Sequence, residues 1–226
     1  MHPILESLFQ RYPDLSSCRE DIQQAISVLE ISFQHGGKLL ICGNGGSAAD
    51  CEHIVGELMK SFSLPRTVPR KIRRTLIEAF SAEGAYLADY LQQALPAISL
   101  TSHSALSTAI ANDVAAEMVF AQQVYGYGKP GDVLLAISTS GRSRNVICAL
   151  QVAKVLEIRT IGLTGASAGA FPDLCDVTIC VPSNGVIAIQ ERHLPIYHAI
   201  CLVLEETFFG NHYGEKLMAS SSHSPA

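Results

Sequence analysis

Five short apolar runs constrain this chain more than any other feature: KLLICG (38–43), AISLT (97–101), GDVLLAIS (131–138), RTIGLTG (159–165) and DVTICVP (176–182). Each is too short for a helix and too apolar for an edge loop. Helical patterns lie between them. In 16–35, for example, Ile22, Ala25, Ile26, Leu29 and Phe33 share one stripe, and HGG (35–37) ends it. Strands buried on both faces and joined by helices form parallel sheets. The pattern therefore predicts an α/β fold: a doubly wound three-layer sandwich, a central parallel sheet of about five strands, and extra N-terminal helices.

The 226 residues, 48% of them hydrophobic, suffice for one domain. We expect it to span 1–212, with 63–95 as an inserted or extended segment and 213–226 as a disordered tail. Within the insert, SLPRTVPRKIRR is basic and broken by prolines, whereas EGAYLADYLQQAL is helical. A long apolar helix follows Val186, with Pro195 either kinking it or marking its true start.

A formal charge of −5 argues against a nucleic-acid partner, and the basic cluster from Arg66 to Arg74 reads as a solvated face or an intersubunit contact. The opening MHPILESLFQRYPDL has no basic start and no sustained apolar stretch, and no run is long enough to cross a bilayer. Seven cysteines, several in apolar runs, read as free thiols. The expectation is a cytoplasmic protein with no membrane partner.

Ligands of such sheets sit at the carboxyl ends of the strands. Two strand ends here carry the right chemistry. After the first strand, Asn44-Gly45-Gly46-Ser47 opens a helix, and its glycines let the backbone approach a ligand at the positive end of that helix. After the third, Ser138, Thr139, Ser140 and Ser143 place four hydroxyls before a helix. One would serve as a cap; four favour a phosphate. A third strand end, GLTGASAG, reads as a turn.

In the helix after Ser47, His53 and Glu57 share a face. That spacing suits a metal, an acid and base, or only a surface ion pair. Near the C-terminus Gln190, Leu194, Tyr197, His198 and Cys201 fall along one stripe, where a polar Gln and His need partners.

Taken in order, CGNGGSAAD with His53 and Glu57, then AND (111–113), ISTSGRSRNV and IQERHLPIYH resemble the sugar isomerase (SIS) domain family. Within it they look most like phosphoheptose isomerases, over most of residues 20–208. The resemblance implies a SIS fold and the isomerisation of sedoheptulose 7-phosphate to D-glycero-D-manno-heptose 7-phosphate, or to an epimer, through an enediolate. It implies phosphate binding by Ser47, Ser138, Ser140 and Ser143, with Gly45 and Gly46 forming the turn. It implies contact of Asn44, Asp113, Thr139 and Gln190 with the substrate. It further implies one zinc per subunit on His53, Glu57, Gln190 and His198, Glu57 and His198 as catalytic base and acid, and a homotetramer.

Two stretches depart from the family pattern. Met59-Lys60-Ser61-Phe62 stands where a small residue, glycine, arginine and an aromatic are usual. Val186-Ile187-Ala188-Ile189 stands where a threonine or aspartate with a basic residue is usual. The spacing from His53 to Asp113 is also longer than the family's. Alternative expectations are therefore an isomerase of another sugar phosphate, or a non-catalytic SIS protein that binds phosphosugars or associates with a replication initiator.

Overall fold

The five apolar runs form one parallel sheet. Its strands are β1 (Leu39–Gly43), β2 (Ala97–Ser99), β3 (Val133–Ile137), β4 (Arg159–Gly165) and β5 (Val177–Val181), in the order β2-β1-β3-β4-β5. The computed structural model describes the backbone of residues 2–221 and the side chains of residues 2–210. β1 and β3 are buried at every position, as a central strand covered on both faces must be. β5, at the edge, buries only Val177, Ile179 and Val181, with Thr178 and Cys180 partly open.

Helices cover both faces. On one lie α1 (Pro3–Arg11), α2 (Arg19–Gln34), α3 (Gly46–Met59) and α9 (Val186–Ser221), with a 3₁₀ turn over Pro13–Cys18. The expected α2 stripe of Ile22, Ala25, Ile26, Leu29 and Phe33 is buried there, and Gly36, at φ 78°, follows the helix. On the other face α6 (Val119–Tyr127), α7 (Arg144–Val155) and α8 (Phe171–Leu174) pack around Leu40, Leu134, Leu150 and Phe171. The three layers are those that the alternating pattern predicts.

α9 is one helix from Val186, so Pro195 lies within it and does not start it. The tail expected from 213 falls where side chains are not described and, from 222, outside the described residues. No helix among the described residues is long and apolar enough to cross a membrane.

The segment 63–95 differs from expectation. Its helix, α4 (Arg70–Tyr90), starts directly after Pro69 and takes in RKIRRTLIEAF, because no proline interrupts the chain beyond that point. At Ser81 (φ 51°, ψ −120°) it bends, and Gly84 comes so close to the Leu76 carbonyl that a side-chain carbon there would collide. Arg73 pairs with Asp89 across the bend at 2.5 Å. The basic cluster splits: Arg70, Lys71, Arg73 and Arg74 are exposed as expected, but Arg66 is only 1% exposed. The remaining helix, α5 (Ser104–Asp113), buries only Ile110.

Candidate active site

The sheet order reverses between β1 and β3: from β1 the next strand lies to one side, from β3 to the other. Ligands settle at such a switch point. Gly43 and Ile137 are register partners at the carboxyl ends of these two strands, so the GNGGS and STSGRS loops emerge side by side. Gly45 has φ 57° and Gly141 φ 61°, values that need glycine in both turns.

The two loops are locked together. The Asn44 amide donates to Asn145 Oδ1 at 2.9 Å, and the Asn145 amide donates back to Asn44 Oδ1 at 2.9 Å. Asn145 escaped the sequence reading because a polar residue in the first turn of a helix carries no distinctive signal.

Ser138 and Ser143 bring their hydroxyls to 3.1 Å of each other. Ser143 precedes α7 in extended conformation yet makes no side-chain cap. Ser140 Oγ accepts from the Arg142 amide at 3.2 Å. Ser47 is buried in the first turn of α3, its amide donating to the Asn44 carbonyl at 3.0 Å. The GLTGASAG stretch does more than turn the chain. Ala170 N–H donates to the Gly141 carbonyl at 3.0 Å, and a Cβ at Gly169 would strike the Gly141 backbone. This third loop is therefore the backing of the serine loop.

Gln190, from the first turns of α9, lies directly over Gly46, where any side chain would strike its amide. It thus joins the glycine turn at the start of α3. Glu57 and His198 meet further along the same pair of helices. Seven residues of helix, about 10 Å, separate Gly46 from His53.

His53, Glu57 and His198 do come together. His53 Nε2 lies 3.0 Å from Glu57 Oε1, and the rings of His53 and His198 are 5.0 Å apart. Tyr197 hydroxyl lies 3.0 Å from His53 Nδ1 and donates to Asp50 Oδ1 at 3.2 Å, so the tyrosine and Asp50 orient the histidine from behind. Asp50 shares the helical face of His53, three residues before it, and that spacing was its one readable signal. Phe62 closes the far side, its ring 5.5 Å from His198.

Burial dominates the electrostatics. It pushes the His198 pKa below the ordinary imidazole value; His53 adds to the lowering and Glu57 opposes it. Burial raises Asp50, while the Tyr197 hydrogen bond and His53 pull it back. Tyr197 is raised by burial and by Asp50 and stays protonated. Glu57 Oε2 and His198 Nε2 are buried without a hydrogen-bond partner, although the Lys60 ammonium stands 3.7 Å from that oxygen. Two imidazoles and a carboxylate suit zinc, and two open acceptor atoms among them fit a cation. Among the described residues no three His, Cys, Asp or Glu side chains already close around one point.

Asp113 stays apart. It ends α5, exposed, and its carboxylate accepts from the Asn112 amide at 2.8 Å.

The SIS domain family model matches residues 14–75 and 74–165. A phosphoheptose isomerase of Maridesulfovibrio salexigens is 41% identical over 91% of this chain and 85% of its own length. The structure of a phosphoheptose isomerase from Francisella tularensis superposes with a TM-score of 0.71 at 32% identity, over 89% of this chain and 94% of that one. Phosphoheptose isomerase GmhA from Neisseria gonorrhoeae gives 0.63 at 31% identity, over 87% and 97%.

Proposed function

The chain belongs to the SIS domain family and, within it, to the phosphoheptose isomerases, and on that premise we propose that it interconverts sedoheptulose 7-phosphate and a heptose 7-phosphate. The observation that carries this reading is the convergence of Glu57 and His198 on His53, along the helix that the first switch-point loop opens.

The phosphate lies in the cradle of Ser47, Ser138, Ser140 and Ser143, at the positive ends of α3 and α7. Asn44, Thr139 and Gln190 hold sugar hydroxyls from the two loops and the start of α9. The carboxylate of Glu57 takes a proton from C1 of the ketose and returns it to C2. His198, held neutral by burial, both gives and accepts, so its imidazole carries a proton between the two oxygens. Each such transfer contributes about 10²- to 10⁴-fold. His53, Glu57 and His198 are the residues that would hold a zinc ion, whose chemistry when bound is to polarise the carbonyl.

A homotetramer belongs to the same proposal. Support comes from Asp113, an expected substrate contact that is exposed at the end of α5, where another copy of the chain has access to it. Further support comes from Val114 (73% exposed) beside it and Phe80 (60% exposed) on α4, which suit burial against other copies. A cytoplasmic setting is consistent with seven free cysteines.

A second reading, an isomerase of a different sugar phosphate, is favoured by Val186 and Ile187. Both are exposed at the start of α9, one turn before Gln190, where the family pattern is polar.

The test is turnover. Purified protein is assayed on a panel of sugar phosphates, alongside Glu57→Gln. We expect sedoheptulose 7-phosphate to be the best substrate and the variant to lose at least about 10²-fold in kcat. A variant that turns over normally removes the proposed base; a better substrate elsewhere in the panel gives the second reading.

A further inference from the structure

Arg66 and Glu205 form an ion pair whose side chains are 0% and 1% exposed, with Arg66 Nε donating to Glu205 Oε1 at 2.7 Å. Replacing such a pair with apolar residues is often neutral or stabilising, so stability alone does not explain its presence. Where its remaining hydrogen bonds go is more informative.

Arg66 Nη2 donates to the Glu57 carbonyl at 2.9 Å, and Nη1 to the Leu58 carbonyl at 2.7 Å. These are among the unpaired carbonyls of the last turn of α3. α3 ends with Lys60 in extended conformation and no glycine stop, so the guanidinium takes the place of a C-cap. Its face is covered by the Phe209 ring at 4.7 Å.

Glu205 spends its two oxygens on the next stretch. Oε1 accepts from the Phe62 amide at 2.9 Å, and Oε2 from those of Ser63 and Leu64 at 2.7 and 3.0 Å. It thereby sets the turn that lays Phe62 against His198.

The inserted segment leaves and returns on this same clasp. The Arg66 carbonyl accepts from the Gln93 amide at 2.7 Å, and Leu95 N–H donates to the Leu58 carbonyl at 2.9 Å. One carbonyl, next in the chain to Glu57, thus anchors both ends of the excursion.

We propose that Arg66 and Glu205 are positioning residues for the isomerase reaction. They fix the backbone at Glu57 and the Phe62 ring against His198. This rests on the reading of Glu57 as the base.

Wild type, Arg66→Lys and the paired Arg66→Met/Glu205→Leu variant are compared on sedoheptulose 7-phosphate. Arg66→Lys keeps the charge opposite Glu205 but cannot reach both carbonyls. The paired variant leaves no buried charge unpaired. The readouts are kcat, KM, and the primary isotope effect on kcat with ketose deuterated at C1; melting curves check folding. We expect both variants to fold, kcat to fall by about tenfold to a hundredfold with KM little changed, and the isotope effect to rise as proton removal limits turnover. Folded variants with wild-type kcat and isotope effect overturn the proposal and leave the isomerase reading intact. Should the paired variant not fold, Arg66→Lys alone decides by the same criterion. Wild type without isomerase activity removes the isomerase reading and the positioning role together.

Discussion

The rings of His53 and His198 stand 5.0 Å apart at an interplanar angle of 86°. One sits on the helix after the first strand, the other on the helix after the last. Their meeting depends on α3 and α9 lying side by side on one face of the sheet, and it brings Glu57, Tyr197 and Phe62 into the same place.

The unfilled atoms of this group predict a metal. We expect protein purified without chelator to carry about one zinc per subunit by elemental analysis, in line with a three-donor site, and His198→Ala to lose most of it. Protein that is free of zinc as isolated, and whose turnover resists chelation, would remove the metal from the scheme.

Phosphate recognition predicts a binding defect. Ser143 makes no cap bond that its loss would break. A hydrogen bond to a charged group is worth about 1.5–3 kcal/mol, or about tenfold to a hundredfold in affinity. Ser143→Ala should raise KM and the inhibition constant of inorganic phosphate by that factor, while stability falls by no more than the one hydrogen bond to Ser138, about 1 kcal/mol. If phosphate inhibits the variant and wild type equally, the serine cradle is misassigned.

The seat of Gln190 predicts a separation of stability from binding. The nearest atoms that a Cβ at Gly46 would meet all belong to the far end of the flexible Gln190 side chain. Gly46→Ala should therefore change stability by no more than about 1 kcal/mol. It should raise KM, because it turns Gln190 away from the glycine loop. Unaltered KM would mean that Gln190 does not touch the sugar.

His193 predicts acid sensitivity. The side chain is fully buried, and burial pushes it from 6.5 down to about 4, opposed only by the backbone of Thr164. The folded chain therefore holds this proton less readily than the unfolded chain. The contribution of His193 is complete above pH 6.5 and declines as pH falls from 6.5 to about 4, by roughly 3 kcal/mol at most. Denaturant unfolding at several pH values measures it. His193→Leu should flatten the slope across that window; an unchanged slope assigns the acid sensitivity elsewhere.

Sequence by itself determined what is local. The apolar runs and helical stripes fixed five strands and their covering helices, because burial periodicity is a property of neighbouring residues. The same locality put His53 and Glu57 on one face, and glycines and hydroxyls at two strand ends. Tertiary structure decided what joins distant stretches. Strand order made the Asn44 and Ser143 loops neighbours and let Asn44 pair with Asn145. Helix packing placed Gln190 over Gly46. It also buried Arg66 against Glu205, although the chain shows that arginine inside a basic, proline-broken run. Side-chain pairing across 100 residues follows from which faces the whole sheet must cover, and no window of sequence contains that information.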